Sequence, residues 1–240
     1  MAEVKEFHQD LSHKLLLKAK ALGASLAGIA SIASLQNAPS YKASGKVGWP
    51  EEAKAVLVLA LVHEVSEPEL DWWDDRNGGT PGNRLLIAMA NDLRQWLREE
   101  FEVKCGPLPY YVQKGGIFLK DAAALAGLGI IGKNNLLVTP EYGPRVRLRG
   151  LFIDLDLTVT GPTAFSPCET CHMPCVPACP QSAFEGGSYS RASCDKQMKE
   201  DVASREIFEE SQNVDSAGVC IRYCRACELA CPVAASTFLE

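Results

Sequence analysis

Two short runs of cysteine in the last third of the chain have the residue types and spacing to bind iron–sulfur clusters. The first, CETCHMPCVPACP, covers residues 168–180, and the second covers residues 220–232. Each run holds four cysteines separated by two or three residues, and each ends in a Cys-Pro pair. Bacterial ferredoxins bind [4Fe–4S] clusters through thiolates in runs of this kind. The spacing therefore predicts two [4Fe–4S] clusters.

The Cys-Pro endings also predict how the ligands are shared. In two-cluster ferredoxins the cysteine before the proline ligates the other cluster, so the two runs exchange their last ligands. One predicted ligand set is Cys168, Cys171, Cys175 and Cys231. The other is Cys179, Cys224 and Cys227, with either Cys194 or Cys220 as the fourth ligand. A pair of four-cysteine zinc sites is the alternative, because zinc sites also use C-x2-C pairs.

Composition and charge indicate a soluble globular protein. The 240 residues are 47 % hydrophobic and 22 % charged, which is typical of a chain with a hydrophobic core. The net charge of −6 disfavours a large nucleic-acid interface. The first 14 residues lack the apolar region of a secretion signal, and the longest apolar run, residues 55–62, is too short to span a bilayer. We therefore predict a cytoplasmic protein with no membrane partner, in which clustered cysteines favour metal binding over disulfides.

Nine of the ten cysteines lie between residues 168 and 231, and Cys105 is the exception. We predict a cysteine-poor body, residues 1–160, followed by a cysteine-rich domain, residues 161–240. Isolated Cys105 is predicted to be a small buried hydrophobic residue.

The body has the sequence pattern of mixed helices and strands, which predicts an α+β fold. Periodic apolar residues predict a helix over residues 10–22 that stops at Gly23, and another that begins at Thr80-Pro81. A short helix is predicted over residues 118–126, and a loop over residues 34–50. The predicted strands cover residues 25–30, 55–62, 108–112, 135–138 and 145–157.

Several other side chains are candidates for contacts with a ligand. Arg145, Arg147 and Arg149 alternate along a predicted strand, so they share one face and could meet a phosphate or a carboxylate. The alternative is a solvated strand face. His63 follows the apolar strand and is a candidate cofactor contact, whereas His172 is predicted to lie exposed beside the first cluster.

A segment in the last part of the body resembles a known family. Residues 123–143, AALAGLGIIGKNNLLVTPEYG, precede the double cysteine motif in the way seen in epoxyqueuosine reductases. Those enzymes and the reductive dehalogenases form a group of cobalamin-dependent iron–sulfur proteins. The resemblance covers roughly residues 10 to 232 and includes LGASLAGIA near the N-terminus.

This resemblance implies a nitroreductase-like, cobalamin-binding domain followed by a bacterial-ferredoxin-like domain. The corrinoid would be held by Gly127, Gly129, Ile130, Ile131, Gly132, Lys133 and Asn134. Glycines without side chains would let the backbone approach a flat macrocycle. The alternatives are a plain helix end with a tight turn, or FMN as the cofactor of the body.

The chain departs from the family pattern at two places. Gln113 stands where the reductases have an acidic proton donor, and an amide cannot supply that proton. The tRNA-modifying members also continue into a helical-repeat domain, so we expect a short form that is not a true epoxyqueuosine reductase and does not bind tRNA. Tyr111 with Lys114 is the candidate replacement donor, because reductive dehalogenases use a tyrosine with a basic neighbour. The alternative is a half-buried strand with a solvated lysine.

The resulting hypothesis is an oxidoreductase in which two [4Fe–4S] clusters pass electrons to a bound corrinoid that reduces a small organic substrate. A ferredoxin or flavodoxin would supply the electrons. The alternatives are a corrinoid-reducing or cobalamin-handling protein that serves a corrinoid protein, and a plain electron carrier. Neither alternative has an organic substrate.

Overall fold

The computed structural model of the chain describes residues 2–44, 48, 50–208 and 218–235; the side chains of residues 2–5, Gln113 and Phe208 lie outside this description. The α-helices are α1 (Ala2–Ala21), α2 (Ile32–Leu35), α3 (Pro39–Ser44), α4 (Pro81–Phe101), α5 (Leu119–Leu125), α6 (Arg191–Ala203) and α7 (Ala226–Leu229). The strands are β1 (Leu26–Ser31), β2 (Ala55–Val62), β3 (Cys105–Pro107), β4 (Ile130–Ile131), β5 (Leu137–Val138), β6 (Val146–Ile153), β7 (Glu206–Phe208) and β8 (Gly218–Cys220).

The chain divides into two compact units, each built from several segments. The sheet unit contains Met1–Val62, Leu86–Ile131 and Val146–Ser166. The cysteine unit contains His63–Leu85, Gly132–Arg145 and Pro167–Glu240. Two segments that precede residue 160, His63–Leu85 and Gly132–Arg145, are thus grouped with the cysteines.

The sheet unit is built on four antiparallel strands in the order β1-β2-β6-β3. Strand β2 lies in the interior of this sheet, and its residues 55–60 are all buried. An uninterrupted apolar run satisfies both faces of such a strand, which explains why AVLVLALV forms it. Strand β6 pairs with β2 along its whole length, from Ala55 opposite Ile153 to Val62 opposite Val146.

One hydrophobic core joins the sheet to α1 and α4. Helix α1 buries Leu11, Leu15 and Ala19, and α4 buries the predicted apolar stripe that includes Leu86 and Leu93. Gly23 follows α1 with a φ of 102°, a left-handed conformation that glycine adopts without a steric penalty. The predicted end of this helix is therefore confirmed, although the helix begins at Ala2, earlier than predicted.

Helix α5 contacts β1, β2 and β6, and its C-terminal end is fastened to β1 through Thr160. The Thr160 hydroxyl accepts a hydrogen bond from the Ile29 amide at 2.8 Å and donates one to the Ala126 carbonyl at 2.6 Å. Gly127 follows with a φ of 77°, and a Cβ there would lie 2.8 Å from the Thr160 carbonyl oxygen. Gly127 is therefore required by close backbone packing as well as by its turn conformation.

Gly28 in β1 allows the same close approach, so Gly28→Ala is expected to destabilise the sheet unit. A Cβ at this position would lie 2.5 Å from the Ala126 carbonyl oxygen and 2.9 Å from the Leu128 side chain. We expect a loss of about 1–3 kcal/mol in the free energy of unfolding, measured by denaturant titration. Gly186→Ala is the control, because no atom lies within 4 Å of a Cβ at that position. Equal unfolding free energies for the two variants would contradict the packing argument.

Two predictions about local structure are wrong. Residues 34–50 were predicted to be a loop, yet they include the end of α2 and all of α3. Ser31 begins α2, because its hydroxyl accepts a hydrogen bond from the Ser34 amide at 3.1 Å. Pro39 begins α3, where its missing N–H costs nothing.

The predicted strand LPYYV is instead a turn that leads into a short 3₁₀ helix, Val112–Lys114. Gly116 packs so closely that a Cβ there would lie 2.2 Å from the Pro109 carbonyl oxygen. This tight turn leaves Tyr110 and Tyr111 more than half exposed, at 57 % and 59 %. The adjacent tyrosines and the β-branched valine of LPYYV were a misleading strand signal here, because the glycine pair that follows decides the backbone path.

Cys105 lies in the core of the sheet unit and is 8 % exposed. Burial raises the pKa of its thiol to about 11, and the sulfur lies 3.8 Å from the Arg94 carbonyl oxygen. It is a buried hydrophobic thiol, as predicted. Within the described residues, no helix combines the length and apolarity needed to cross a bilayer.

In the cysteine unit, β7 pairs antiparallel with β8. Trp73 exchanges two backbone hydrogen bonds with Ile221, at 2.9 and 2.8 Å, and the guanidinium of Arg222 lies 4.4 Å from the centre of the Trp72 ring. These contacts explain why the segment His63–Leu85, which contains both tryptophans, belongs to the cysteine unit.

Candidate functional site

Four thiols of the cysteine unit form one electrostatically coupled set. Burial raises the pKa of Cys175, and the thiolate charges of Cys231, Cys168 and Cys171 raise it further. Burial likewise raises the pKa of Cys231, where Cys168 and Cys171 act in the same direction. Since these effects require proximity, the last cysteine of the second run lies with the first three cysteines of the first run.

A second set contains the last cysteine of the first run. Burial raises the pKa of Cys227 to about 12, and the charges of Cys224, Cys179 and Cys194 contribute. Burial also raises the pKa of Cys224, where Cys179 and Cys194 again act in the same direction. Cys194 lies on α6, whereas Cys220 is the buried last residue of β8. The charge of Cys220 is not among the main charges that act on the thiols of Cys224 and Cys227.

Backbone N–H groups point at a sulfur atom in each set. The Met173 amide donates to the Cys171 sulfur, and the Ala183 amide donates to the Cys179 sulfur, both at 3.3 Å. Such N–H···S bonds stabilise a thiolate and tune the reduction potential of a bound cluster. In the described part of the chain, no group of three or more His, Cys, Asp or Glu side chains is arranged to hold a single metal ion.

A buried cation lies beside the first thiol set. Arg145 is 2 % exposed and donates hydrogen bonds to the carbonyl oxygens of Cys231, at 3.3 Å, and Val233, at 2.6 Å. Its positive charge lowers the pKa of Cys231 against the larger effect of burial. Arg145 thus stabilises the Cys-Pro turn and holds a positive charge near a thiol. The prediction of a solvated arginine face is wrong for this residue.

A second, half-buried arginine connects the cysteine helix α7 to the segment that begins at His63. Arg225 contacts Asp71 at 2.7 Å, Glu228 at 2.5 Å and the His63 carbonyl oxygen at 3.1 Å. His63 is fully buried, with Nδ1 2.7 Å from Asp71, and a Cβ on Gly82 would lie 2.2 Å from Nε2. Within this unit the ring of His63 is a structural part of a charged network that positions Cys224 and Cys227.

The segment of residues 127–135, here called the glycine loop, is shared between the two units. Gly127–Ile131 belong to the sheet unit, and Gly132–Asn135 to the cysteine unit. Asn134 is 4 % exposed and donates from Nδ2 to the Cys227 carbonyl oxygen at 3.4 Å, while Lys133 is exposed. A Cβ on Gly132 would lie 3.4 Å from the Cys168 sulfur. The second half of the loop is therefore packed against cysteines of both thiol sets.

The first half of the glycine loop lines a concave pocket of about 700 Å³ in the sheet unit. Gly129, Ile130 and Ile131 form part of its wall, and Ala124, Leu125 and Pro39 add further apolar surface. A mostly apolar cavity of this size with a few polar groups is typical of a cofactor or small-molecule site. Three of the seven residues predicted to bind the cofactor thus line this pocket, and Gly127, Gly132, Lys133 and Asn134 are not among its lining residues.

The candidate proton donor lies at the surface of the sheet unit. Tyr111 is 59 % exposed, and the Lys114 amine lies 5.4 Å from the centre of its ring. The lysine packs on the aromatic face in a cation–π contact. Gln113 lies between them in the chain, but its side chain is outside the described residues.

The sequence did not predict the burial or the contacts of three residues, Asp121, Arg145 and Arg225. Asp121 is 3 % exposed and lines the pocket. Its signal in the sequence is a lone acid in the small, apolar helix of residues 118–126. Arg145 was recognised only as one of three alternating cations, and Arg225 gave no signal beyond its position between two cysteines.

Comparisons with known proteins found relatives in two enzyme groups, while no protein-family model matches the chain. It is 28 % identical over 189 residues to an epoxyqueuosine reductase of Lactococcus garvieae, covering 76 % of this chain and 52 % of that protein. It is 35 % identical over 96 residues to a tetrachloroethene reductive dehalogenase of Desulfitobacterium hafniense, covering 39 % of this chain and 17 % of that protein. The chain thus spans about half the length of the first of these curated relatives.

Solved structures of the same two groups share the fold. An epoxyqueuosine reductase bound to a tRNA-Tyr stem loop aligns with a TM-score of 0.64 at 17 % identity, covering 94 % of this chain and 65 % of that one. The catabolic reductive dehalogenase NpRdhA with 3-bromo-4-hydroxybenzoic acid gives the same score and identity, covering 95 % and 32 %. A reductive dehalogenase described in terms of B12-dependent dehalogenation gives 0.54 at 17 %, covering 73 % and 26 %. The chain is therefore a relative of the epoxyqueuosine reductases and reductive dehalogenases and has their mixed α/β fold.

Proposed function

We propose that this chain is an iron–sulfur reductase in which two [4Fe–4S] clusters supply electrons to a bound corrinoid, where a small organic substrate is reduced. The division of eight thiols into two sets of four carries this proposal. The sets exchange the last cysteines of the two runs, which is the ligand pattern of two-cluster ferredoxins.

The proposed ligands of the first cluster are Cys168, Cys171, Cys175 and Cys231, and those of the second are Cys179, Cys194, Cys224 and Cys227. Burial raises the pKa values of four of these thiols, so cluster binding must displace protons from them, since thiolates are the ligands; the four are Cys175, Cys224, Cys227 and Cys231. Amide donors at Cys171 and Cys179 would stabilise the thiolates once formed. The Arg145 guanidinium would do so at Cys231.

The corrinoid is assigned to the pocket of the sheet unit, lined by Gly129, Ile130 and Ile131. Its cobalt, when bound, supplies the centre at which reduction occurs. The apolar wall suits a flat macrocycle, and glycine leaves room for close approach. Gly127, Gly132, Lys133 and Asn134 complete the proposed binding loop. FMN is the alternative occupant of this pocket.

The substrate is proposed to be a small organic molecule and not tRNA. Gln113 cannot supply the proton that an acidic residue at its position would supply, so the chain is not proposed to be a true epoxyqueuosine reductase. Tyr111 with Lys114 remains the proposed proton donor, because the two side chains are already in contact. A ferredoxin or flavodoxin is the proposed electron donor.

Anaerobic reconstitution followed by corrinoid titration tests the function. We expect about eight iron and eight acid-labile sulfide per chain, and a base-off absorbance spectrum when cobalamin is added. Four or fewer iron atoms, or zinc in place of iron, would exclude the two-cluster site. Eight iron atoms without corrinoid or FMN binding would indicate a plain electron carrier. A corrinoid that is bound and reduced, with no organic substrate turned over, would indicate a corrinoid-reducing protein.

A further inference from the structure

Among the described residues that line the pocket of the sheet unit, Asp121 has the one ionisable side chain, in an otherwise largely apolar wall. This carboxyl group lies in the first turn of α5 and is 3 % exposed. A carboxylate removed from water is costly unless hydrogen-bond donors or a cation compensate its charge. The contacts of Asp121 therefore indicate what kind of ligand group the pocket accepts.

Within the described residues, the protein gives Asp121 little compensation. One carboxylate oxygen accepts a long hydrogen bond from the Ser40 amide, at 3.3 Å. None of the ion pairs among these residues includes Asp121. An ionised carboxylate can accept about four hydrogen bonds, so most of its capacity is available to a ligand.

The neighbouring polar group also presents an acceptor. Asn37 lines the same pocket, and its Nδ2 donates to the Ala33 carbonyl at 3.1 Å. This bond uses one of the two N–H donors of the amide, and Oδ1 of Asn37 is an acceptor. No lysine or arginine is among the described residues that line the pocket, whose remaining polar side chains are the Ser34 and Thr163 hydroxyls. At Asp121 and Asn37 the pocket thus offers acceptors to a ligand that donates hydrogen bonds, and the carboxylate opposes a negative charge placed beside it.

We propose that Asp121 selects the ligand of this pocket by accepting hydrogen bonds from a neutral carboxamide group and by repelling carboxylates at the same position. This inference rests on the proposed function, in which the ligand is a corrinoid, a macrocycle with peripheral carboxamides. Asp121 is thus a specificity-determining residue for amide-bearing corrinoids.

The test compares two corrinoids in wild-type protein and in Asp121→Asn. The first probe is cobinamide, which carries carboxamides, and the second is a hydrolysed corrinoid in which the peripheral amides are carboxylates. Binding is measured by calorimetry and by the absorbance spectrum, without any turnover assay. Wild-type protein is expected to bind cobinamide at least tenfold more tightly than the acid form. Asp121→Asn is expected to reduce that preference at least tenfold, because an amide no longer repels a carboxylate.

Asp92→Asn is the matched control, since it removes the same charge from an exposed position of α4. It should leave the preference unchanged. If Asp121 only caps α3 through the Ser40 amide, Asp121→Asn will prefer cobinamide over the acid form as strongly as wild-type protein does. That result overturns this inference and leaves the proposed function in place. If wild-type protein binds neither corrinoid, the proposed function fails and the inference fails with it.

Discussion

Replacing Cys194 with alanine is expected to remove one of the two [4Fe–4S] clusters, whereas replacing Cys220 with serine or alanine is expected to keep both. The structure places the Cys194 thiol among the charges that act on Cys224 and Cys227, with Cys179 as the remaining member of that set. Cys220 ends β8, where its backbone pairs with Glu206. A cluster that loses a thiolate ligand is not retained through reconstitution, so iron should fall from about eight to about four atoms per chain.

The two variants form a matched pair, because each removes one thiol from the same unit. Iron and sulfide analysis gives the cluster count, and electron paramagnetic resonance of the reduced protein shows whether the interaction between two paramagnetic clusters is lost. The alanine variant is needed because a serine oxygen can replace a thiolate at iron. If Cys220→Ser loses iron and Cys194→Ala keeps about eight iron atoms per chain, the assignment of Cys194 as the fourth ligand of the second cluster is wrong.

Local sequence was sufficient to predict a helix or a strand wherever one residue pattern determines that element. Residues 55–62 form the predicted strand because a continuous apolar run suits a strand with both faces buried. Helix α4 begins at Pro81 because Thr80 caps it, its hydroxyl accepting from the Asn83 amide at 3.1 Å. In both cases the residues that determine the element lie within a few positions of one another in the sequence. The paired cysteine runs gave the two ligand sets as a hypothesis for the same reason.

The remaining features depend on contacts between distant parts of the chain. Cys220 has the spacing of the second run and Cys194 lies outside both runs, so only the structure favours Cys194, by placing its thiol among the charges that act on Cys224 and Cys227. The segment His63–Leu85 belongs to the cysteine unit because Asp71 meets Arg225, more than 150 residues later. The pocket is formed by α2, α3, α5 and the glycine loop together, so no single motif could have predicted that Asp121 lines it.

Removing the charge of Arg145 is expected to lower the reduction potential of one cluster and leave the other unchanged. Arg145 is 2 % exposed, and its charge acts on Cys231, a proposed ligand of the first cluster. Reduction adds negative charge to a cluster, so a nearby buried cation favours the reduced state. For Arg145→Gln we expect the reduction equilibrium to change on the order of tenfold, about 59 mV for a one-electron couple. A redox titration followed by electron paramagnetic resonance measures both clusters in one sample.

Two further variants separate charge from structure. Arg145→Lys keeps the cation but cannot hold both the Cys231 and Val233 carbonyls in the geometry of the guanidinium. It should therefore be less stable to unfolding, while the reduction potential of the first cluster stays close to the wild-type value. Arg76→Gln removes an equal charge from a mostly exposed side chain of the same unit and should change neither potential. If Arg145→Gln retains both clusters at wild-type potentials, Arg145 acts only as a clamp on the Cys-Pro turn. A potential that falls in the glutamine variant and recovers in the lysine variant would instead show that the buried charge sets it, because both substitutions disturb the same hydrogen bonds.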